Sequence, residues 1–441
     1  MSDGTDGTQE QHVAHAAHAA VRGTHETPLD AGLWALTFAY VLSQFFRSYV
    51  AVIAPQLIAD FHFSPQMFGW FAGAFFLVFA LAQLPVGLMF DRYGVRGPTV
   101  ALMIVGAFCA AVLPATTRAP LALIAQAGIG LGCAPIFMGL LNHVLRTGHG
   151  ARNVRAVTTA SAIGMAGALL AALPLSRATA SFGWRVVIAV AALAMLVAAL
   201  GVARFVKPRD ALDRSRERRA AHDTKPATQR TPGSHAATKR RAGLWTLMPA
   251  CLAMSVGSTF RTSWGGPYLA DVFGFDVIAR GNAMTVTSVV GIVASFGIPL
   301  AVRFLSPKRI VLAWLIAGML AALALACVPA GSAAVSVALI CVLFSVGSIH
   351  PLVMSQARSI IAPHRLGLGL GLLNSLVFLG IALASSCFGW IAGVAKASGL
   401  TSAATYAWLF AVTVLPLAAG AAVYFFSPAM TAAADRDTAR T

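Results

Sequence analysis

Residues 66–90 read QMFGWFAGAFFLVFALAQLPVGLMF, an apolar run without a single acidic or basic side chain. A membrane-spanning helix needs roughly 20 such residues, because it rises about 1.5 Å per residue across a hydrocarbon core of about 30 Å. A strand of a soluble protein is far shorter than this run. The sequence therefore predicts a transmembrane helix here, followed directly by the charged stretch DRYGVR at 91–96.

Eleven further runs of similar length and composition predict an all-α membrane protein with twelve transmembrane helices. The predicted spans are 31–58, 66–90, 98–116, 119–145, 154–177, 185–206, 244–270, 281–303, 309–330, 333–360, 367–395 and 402–427. Residues 207–243 are rich in Arg, Lys, Asp, Thr and Pro, so they form a basic linker between two six-helix halves, 31–206 and 244–427. Polar tails are predicted at 1–30, where disorder is expected, and at 428–441.

The composition of the whole chain supports this class. Of its 441 residues, 58% are hydrophobic and 11% are charged, whereas a soluble domain carries roughly 25% charged residues. The net charge of +17 suggests a nucleic-acid partner only for a water-soluble chain, so nucleic acid is excluded as the main partner. The partners expected instead are the lipid bilayer and a small-molecule substrate, with no obligate protein partner.

Basic residues lie mainly on one side of the predicted spans. That side carries Arg92, Arg96, Arg146, Arg152, Arg155, Arg303, Lys308, Arg309, Arg358, Arg365 and most of the basic linker. The other side carries only Arg118, Arg177, Arg185, Arg280 and Lys396. The positive-inside rule therefore predicts that both termini and the linker are cytoplasmic. An Ala-, Gly- and Arg-rich composition suggests a GC-rich bacterial genome and hence the inner membrane.

The two halves resemble each other at a nearly constant spacing. Phe46-Arg47 recurs as Phe260-Arg261, 214 positions later. Further pairs at or near this offset are Pro85 with Pro299, Phe90 with Phe304, Pro135 with Pro351 and Met138 with Met354. An offset close to half the chain length indicates an internal duplication. The sequence predicts two pseudo-symmetric six-helix bundles.

The segment from Gly87 to Arg96 resembles the cytoplasmic signature loop of the major facilitator superfamily. It matches that pattern at Gly87, Asp91, Arg92, Gly94 and Arg96, and it departs from it at Phe90 and Val95. With two sets of six helices and a long central linker, the resemblance covers the chain from about residue 31 to residue 427. It implies the fold of that superfamily and a secondary transporter.

The resemblance also implies a role for this loop as a conformational latch. Asp91 is expected to face the positive N-terminus of the eleventh helix, which begins near Gly367, while Arg92 and Arg96 add contacts. Such contacts form when the outer side is open and break when the cytoplasmic side opens. The alternative is that these bases only set the topology. The second half has Leu305 in place of the Asp, so its version of the loop is degenerate.

Two arginines lie past the middle of predicted spans 1 and 7, namely Arg47 and Arg261. Placing Arg at such depth costs a few kcal/mol, and such residues normally face a polar cavity. Their matching positions in two pseudo-symmetric halves aim both side chains at a central pathway. A guanidinium offers forked donors suited to carboxylate or phosphate, so the sequence predicts an anionic substrate. The pair is similar to that of the superfamily's organophosphate:phosphate antiporters. This resemblance concerns the positions of the two arginines and implies nothing about the substrate.

Further substrate-binding candidates follow from their neighbourhood in the sequence. They are Gln44, Ser48, Tyr49, Thr262, Trp264, Asn142, His143, His350 and Asn374. The aromatic rings equally suit packing at the membrane interface, and each histidine equally suits a satisfied polar contact between helices.

No Asp or Glu lies inside a predicted span, so the residues available for proton coupling are few. The candidates are His350, Asp60 and Asp271, the last two at the outer ends of spans 1 and 7. Where the superfamily commonly has an arginine in its fourth helix, this chain has Gln126. Exchange or facilitated passage of an anion needs no such acid. The alternatives are a proton-coupled exporter of amphiphilic compounds and a non-transporting sensor or scaffold.

The sequence contains no signature of an enzyme or of a cofactor site. It has no Gly-Lys-Ser/Thr phosphate loop and no nucleophile elbow, and its six cysteines lie singly in apolar runs. We therefore expect no metal, no cofactor and no catalytic residues.

Overall fold

A computed structural model describes residues 30–147, 151–208, 244–361 and 366–428, in which every regular element is helical. Ten helices are long and apolar enough to cross a membrane, and a bent pair, Ala31–Ser48 with Val50–Phe61, makes an eleventh span. The twelfth span consists of three shorter segments within residues 248–273. The predicted all-α architecture of twelve spans is confirmed. Residues 1–29, 209–243 and 429–441, with most of the predicted tails and linker, lie outside the described residues.

The spans are numbered α1 to α12 in chain order. Their bounds are α1 Ala31–Ser48 and Val50–Phe61, α2 Pro65–Tyr93, α3 Arg96–Ala115, α4 Ala119–Thr147, α5 Ala151–Leu170 and Leu173–Phe182, α6 Trp184–Phe205, α7 Met248–Thr259, Phe260–Trp264 and Gly265–Phe273, α8 Val277–Ala301, α9 Pro307–Cys327, α10 Ala333–Ser345, Val346–Ile349 and His350–Ile360, α11 Leu366–Ala397, and α12 Ser402–Phe425.

Four spans that the hydropathy pattern predicts as continuous helices are interrupted. Helix α1 bends by 52° at Tyr49, and α5 breaks after Leu170, just before Pro174. Helix α7 contains a π-helical turn, and α10 contains a 3₁₀ turn that precedes Pro351. Proline lacks an amide donor and clashes with the preceding turn, which accounts for the breaks in α5 and α10. Hydropathy reflects the preference of side chains for lipid over water, so it does not reveal breaks in the backbone of a helix.

The two halves are in contact mainly at one end of the molecule. We call the end with Asp30 and Pro428 the terminal face, and the end with Asp60 and Asp271 the opposite face. Near the opposite face, α2 and α11 approach so closely that a Cβ on Gly69 would lie 2.6 Å from the carbonyl oxygen of Ser385. This close packing of small residues, typical of membrane helices, closes the opposite face.

The signature loop ends α2 at the terminal face. Gly94 has a φ of 77°, which a glycine adopts without strain, and the chain turns there into α3. Asp91 and Arg92 are exposed, and Cζ of Arg92 lies 5.2 Å from the centre of the Tyr93 ring. The role of the loop as a latch stays a prediction.

Candidate substrate-binding site

A cavity of about 370 Å³ lies between the two halves. Its walls come from the interrupted helices α1, α5, α7 and α10 together with α2, α8 and α11. Seven of the predicted substrate-binding residues line it, namely Gln44, Arg47, Ser48, Arg261, Thr262, His350 and Asn374. Among its lining residues that the structure describes, none is Asp or Glu. The cavity therefore carries two guanidinium groups without a carboxylate to neutralise them.

Arg47 rests on aromatic rings. Its Cζ atom lies 4.4 Å from the centre of the Phe79 ring and 5.0 Å from that of Phe378. Phe79 belongs to α2 and Phe378 to α11, so Arg47 sits where the two halves meet. Its Nε atom is buried and has no hydrogen-bond partner in the described part of the chain. Ring faces attract the cation but accept none of its forked N–H bonds, which remain available to a ligand.

Arg261 is bonded into the cavity wall. It is 1% exposed, its Nε atom donates to the Ser288 hydroxyl at 3.1 Å, and its Nη2 atom donates to the same hydroxyl. Nη2 also donates to the Ala168 carbonyl oxygen at 3.0 Å, across the boundary between the halves. Nη1 is buried and unpartnered within the described residues. The two arginines are therefore equivalent in sequence position but not in their surroundings.

The carbonyl that Arg261 binds is released by the break in α5. The amide of Ala172 donates to Leu169 instead of to Ala168, which leaves the Ala168 oxygen without its helical donor. Beyond the break, the Leu173 amide donates to the hydroxyl of Thr285 at 3.1 Å. The backbone groups freed in α5 of the first half are thus satisfied by side chains of the second half.

The remaining polar lining is supplied mainly by hydroxyls and by His350. Within the described residues the buried Nε2 atom of His350 has no hydrogen-bond partner. Sequence reasoning missed several polar lining residues: Tyr40, Ser258, Ser288, Ser295 and Ser348. Serines in membrane helices often bond the preceding turn, as Ser288 does with the Met284 carbonyl oxygen, so sequence alone does not separate cavity serines from the rest.

Four predicted substrate-binding residues lie away from this cavity. Tyr49 is fully buried and donates to Oε1 of Gln126 at 2.5 Å. The Trp264 indole donates to the Ser385 hydroxyl at 3.0 Å. The remaining two lie on α4: Asn142 donates to the Met138 carbonyl oxygen, and His143 contacts Asp30 at 2.9 Å near the terminal face. In this conformation none of the four lines the central cavity, because each bonds between or within helices. Their part in substrate binding stays a prediction.

The predicted carboxylates lie near the opposite face. Asp60 accepts a hydrogen bond from the Trp184 indole at 2.9 Å and pairs with Arg185 at 3.2 Å. Asp271 accepts from the Tyr406 hydroxyl at 2.9 Å and lines a second cavity of about 480 Å³. Of the three candidates for proton coupling, His350 is the one that lines the central cavity.

Comparisons with known proteins agree with this architecture. A family model described as Major Facilitator Superfamily matches residues 36–385. A bacterial homolog to the human lysosomal transporter Spinster, in an inward-facing and occupied conformation, superposes with a TM-score of 0.69 at 16% identity, covering 90% of this chain and 96% of that chain. The nucleoside transporter NupG gives a TM-score of 0.69 at 12% identity, covering 90% of this chain and 100% of that chain. No curated protein sequence matches the chain. At such low identity the structural likeness shows the fold alone.

Proposed function

This chain belongs to the major facilitator superfamily, and from that premise we propose that it moves a small anionic organic solute across the membrane by alternating access. Membership in this family, together with solved transporters of the same fold, indicates a transporter that takes a small-molecule substrate rather than an enzyme. The two halves, 31–206 and 244–427, would rock about the central cavity, and Arg47 and Arg261 would bind the negative group.

The observation that carries the proposal is the pair of incompletely bonded guanidinium groups in one cavity. Nε of Arg47 and Nη1 of Arg261 are both buried without a partner in the described residues. Burying an unpaired charge is costly, so a site that keeps two such cations is expected to offset this cost with a bound anion. A carboxylate or phosphate oxygen accepts the forked donors that both groups leave open.

In this conformation a solute would enter and leave the central cavity from the terminal face. The halves meet near the opposite face, and the terminal face carries the basic residues Arg92, Arg96, Lys308 and Arg309. The positive-inside rule supports a cytoplasmic terminal face, and with it an inward-facing conformation in the inner membrane.

A second candidate function is proton-coupled export of an amphiphilic compound. His350 favours it, because its unpartnered Nε2 atom lies in the lining of the central cavity. An imidazole nitrogen that has no partner can accept a transported proton. Asp60 and Asp271, the other predicted coupling residues, bond to partners near the opposite face and support this function less.

A thermal-stability screen of the detergent-purified chain tests the anionic substrate. The panel contains phosphate, phosphate esters, mono-, di- and tricarboxylates, and cationic drugs. A ligand that binds only the folded state at about 100 times its dissociation constant adds roughly 2.7 kcal/mol to the free energy of unfolding. We expect one anion class to raise the melting temperature of the parent and to lose this effect in Arg47→Gln and Arg261→Gln.

Arg185→Gln is the matched control for this screen. Arg185 donates to carbonyl oxygens of Pro114 and Thr116 within its own half, near the opposite face, so its loss removes an arginine without touching the cavity. It should respond to the anion like the parent. Stabilisation by cationic drugs alone, or an equal anion response in all four proteins, would replace the anion proposal with the export function.

A further inference from the structure

Arg280 is buried between the two halves although the sequence places it among the loop residues of the opposite face. It lies near the start of α8, where a solvated arginine is expected, yet it is 5% exposed. It does not line the central cavity. We therefore expect Arg280 to have a role other than substrate binding.

Its guanidinium bonds to both halves of the molecule. Within its own half, Nη1 donates to the Phe275 carbonyl oxygen at 3.0 Å. Across the boundary, Nε donates to the Val52 carbonyl oxygen at 3.2 Å, and Nη2 donates to Oε1 of Gln56 at 3.2 Å. Each of the three nitrogens therefore has an acceptor, and two of the acceptors belong to the outer segment of α1.

This segment of α1 also packs closely against α7 of the other half. A Cβ added to Gly266 of α7 would collide with the carbonyl oxygen of Ala51. Pro55 has no amide hydrogen, so this oxygen lacks the donor that a regular helix would provide four residues later. Arg280 and Gly266 thus hold the same two turns of α1, one by hydrogen bonds and the other by close contact.

The acceptors are neutral, which fits a contact that must open again. Among the described residues, no carboxylate oxygen lies within 4.0 Å of the Arg280 guanidinium. Asp271 and Asp276 act on it only at longer range. A buried ion pair is hard to separate, whereas bonds to a backbone carbonyl and an amide are exchanged for water at modest cost.

We propose that Arg280, with its acceptors Val52 and Gln56, forms a clasp between the halves that sets the balance between the two access states. The clasp is closed when the opposite face is closed, and it breaks when α8 moves away from α1. Arg280 is thus a positioning residue, which governs how often the cavity opens to each side without touching the substrate.

Distances between spin labels on full-length protein test this clasp in a background without the native cysteines. Label pairs at His62→Cys with Ser398→Cys, and at Leu88→Cys with Leu368→Cys, report the separation of the halves at the opposite and terminal faces, respectively. All four positions are exposed. In Arg280→Gln we expect a longer component at the opposite face and a shorter one at the terminal face. Two lost hydrogen bonds to a charged group should change the ratio of the two states roughly tenfold or more.

Gln56→Glu provides the opposite shift. A carboxylate at this position strengthens the bond to Arg280, so the closed opposite face should become more populated and transport slower. Arg185→Gln again serves as the control, because Arg185 bonds only within its own half in the described residues and should leave both distances unchanged.

Reciprocal changes at the two faces, of opposite sign in Arg280→Gln and Gln56→Glu, support the clasp. Unchanged distances in both variants would overturn it, as would a broadening at both faces, which indicates general loosening. Should Arg280→Gln fail to fold, Gln56→Glu and Gln56→Ala decide the matter, because they leave Arg280 in place. The label distances are measured without substrate, so their outcome does not depend on whether the anionic site exists.

Discussion

Arg47→Gln is expected to lower the affinity for the transported anion by roughly 30-fold or more while leaving the fold at least as stable as the parent. Removing one partner of a buried, hydrogen-bonded charge pair costs about 2–5 kcal/mol, which corresponds to this factor. In the ligand-free protein the same side chain is a cost, since its buried Nε atom has no partner in the described residues. A residue that weakens stability and strengthens binding is characteristic of a functional site.

Arg261→Gln is expected to behave differently in the absence of ligand. Its guanidinium satisfies the Ser288 hydroxyl and the Ala168 carbonyl oxygen, and the latter has lost its helical donor at the break in α5. Removing this arginine leaves both acceptors without their donor, and a buried group left unpaired costs about 1–3 kcal/mol. The two symmetric substitutions should therefore weaken anion binding alike, but only Arg261→Gln should lower the melting temperature of the empty protein.

The measurements are direct binding of the anion found in the stability screen and thermal unfolding without ligand. Arg47→Lys separates charge from geometry: it keeps the cation but loses the forked donors, so an intermediate affinity is expected. Phe79→Leu tests whether the aromatic ring positions the guanidinium of Arg47. It should weaken the binding free energy of the anion by about 0.5–2 kcal/mol. Equal affinity in Arg47→Gln and the parent would remove Arg47 from the binding site.

The twelve spans are predictable from sequence because the bilayer fixes their length, and Arg47 and Arg261 are predictable because a charge at that depth is costly. Proximity in the sequence to Arg47 or Arg261 predicts the cavity-lining residues less well. A helix turns by about 100° per residue, so Tyr49, two residues after Arg47, points away from it towards Gln126. Gln44, three residues before Arg47, shares its face and lines the cavity.

Trp264 and Arg280 differ from the expectations for two local reasons. The π-helical turn Phe260–Trp264 changes the rotation per residue, so that Trp264 faces Ser385 rather than the cavity that Thr262 lines. The sequence predicts Arg280 as a loop residue, since a charge next to a span normally reaches water. Only the spatial meeting of α8 with α1 shows that its partners are a backbone carbonyl and an amide.

Gly266→Ala is expected to reduce transport at least tenfold without a large loss of stability. The added Cβ would overlap the Ala51 carbonyl oxygen of the other half, so the opposite face no longer closes fully. Ala51 and Gly266 belong to different halves, so separating the halves relieves the strain. The label pair at His62 and Ser398 should then report an open opposite face.

Gly130→Ala is the counterpart inside one half. Its Cβ would overlap the carbonyl oxygen of Phe75. Gly130 lies in α4 and Phe75 in α2 of the same half, so no movement of the halves relieves this contact. It should lower the free energy of unfolding by about 1–3 kcal/mol, measured as a lower melting temperature. Gly297→Ala meets no atom within 4 Å and should change neither property. If Gly266→Ala and Gly130→Ala lose stability alike, the contact between α1 and α7 belongs to one rigid body, and the opposite face does not open there.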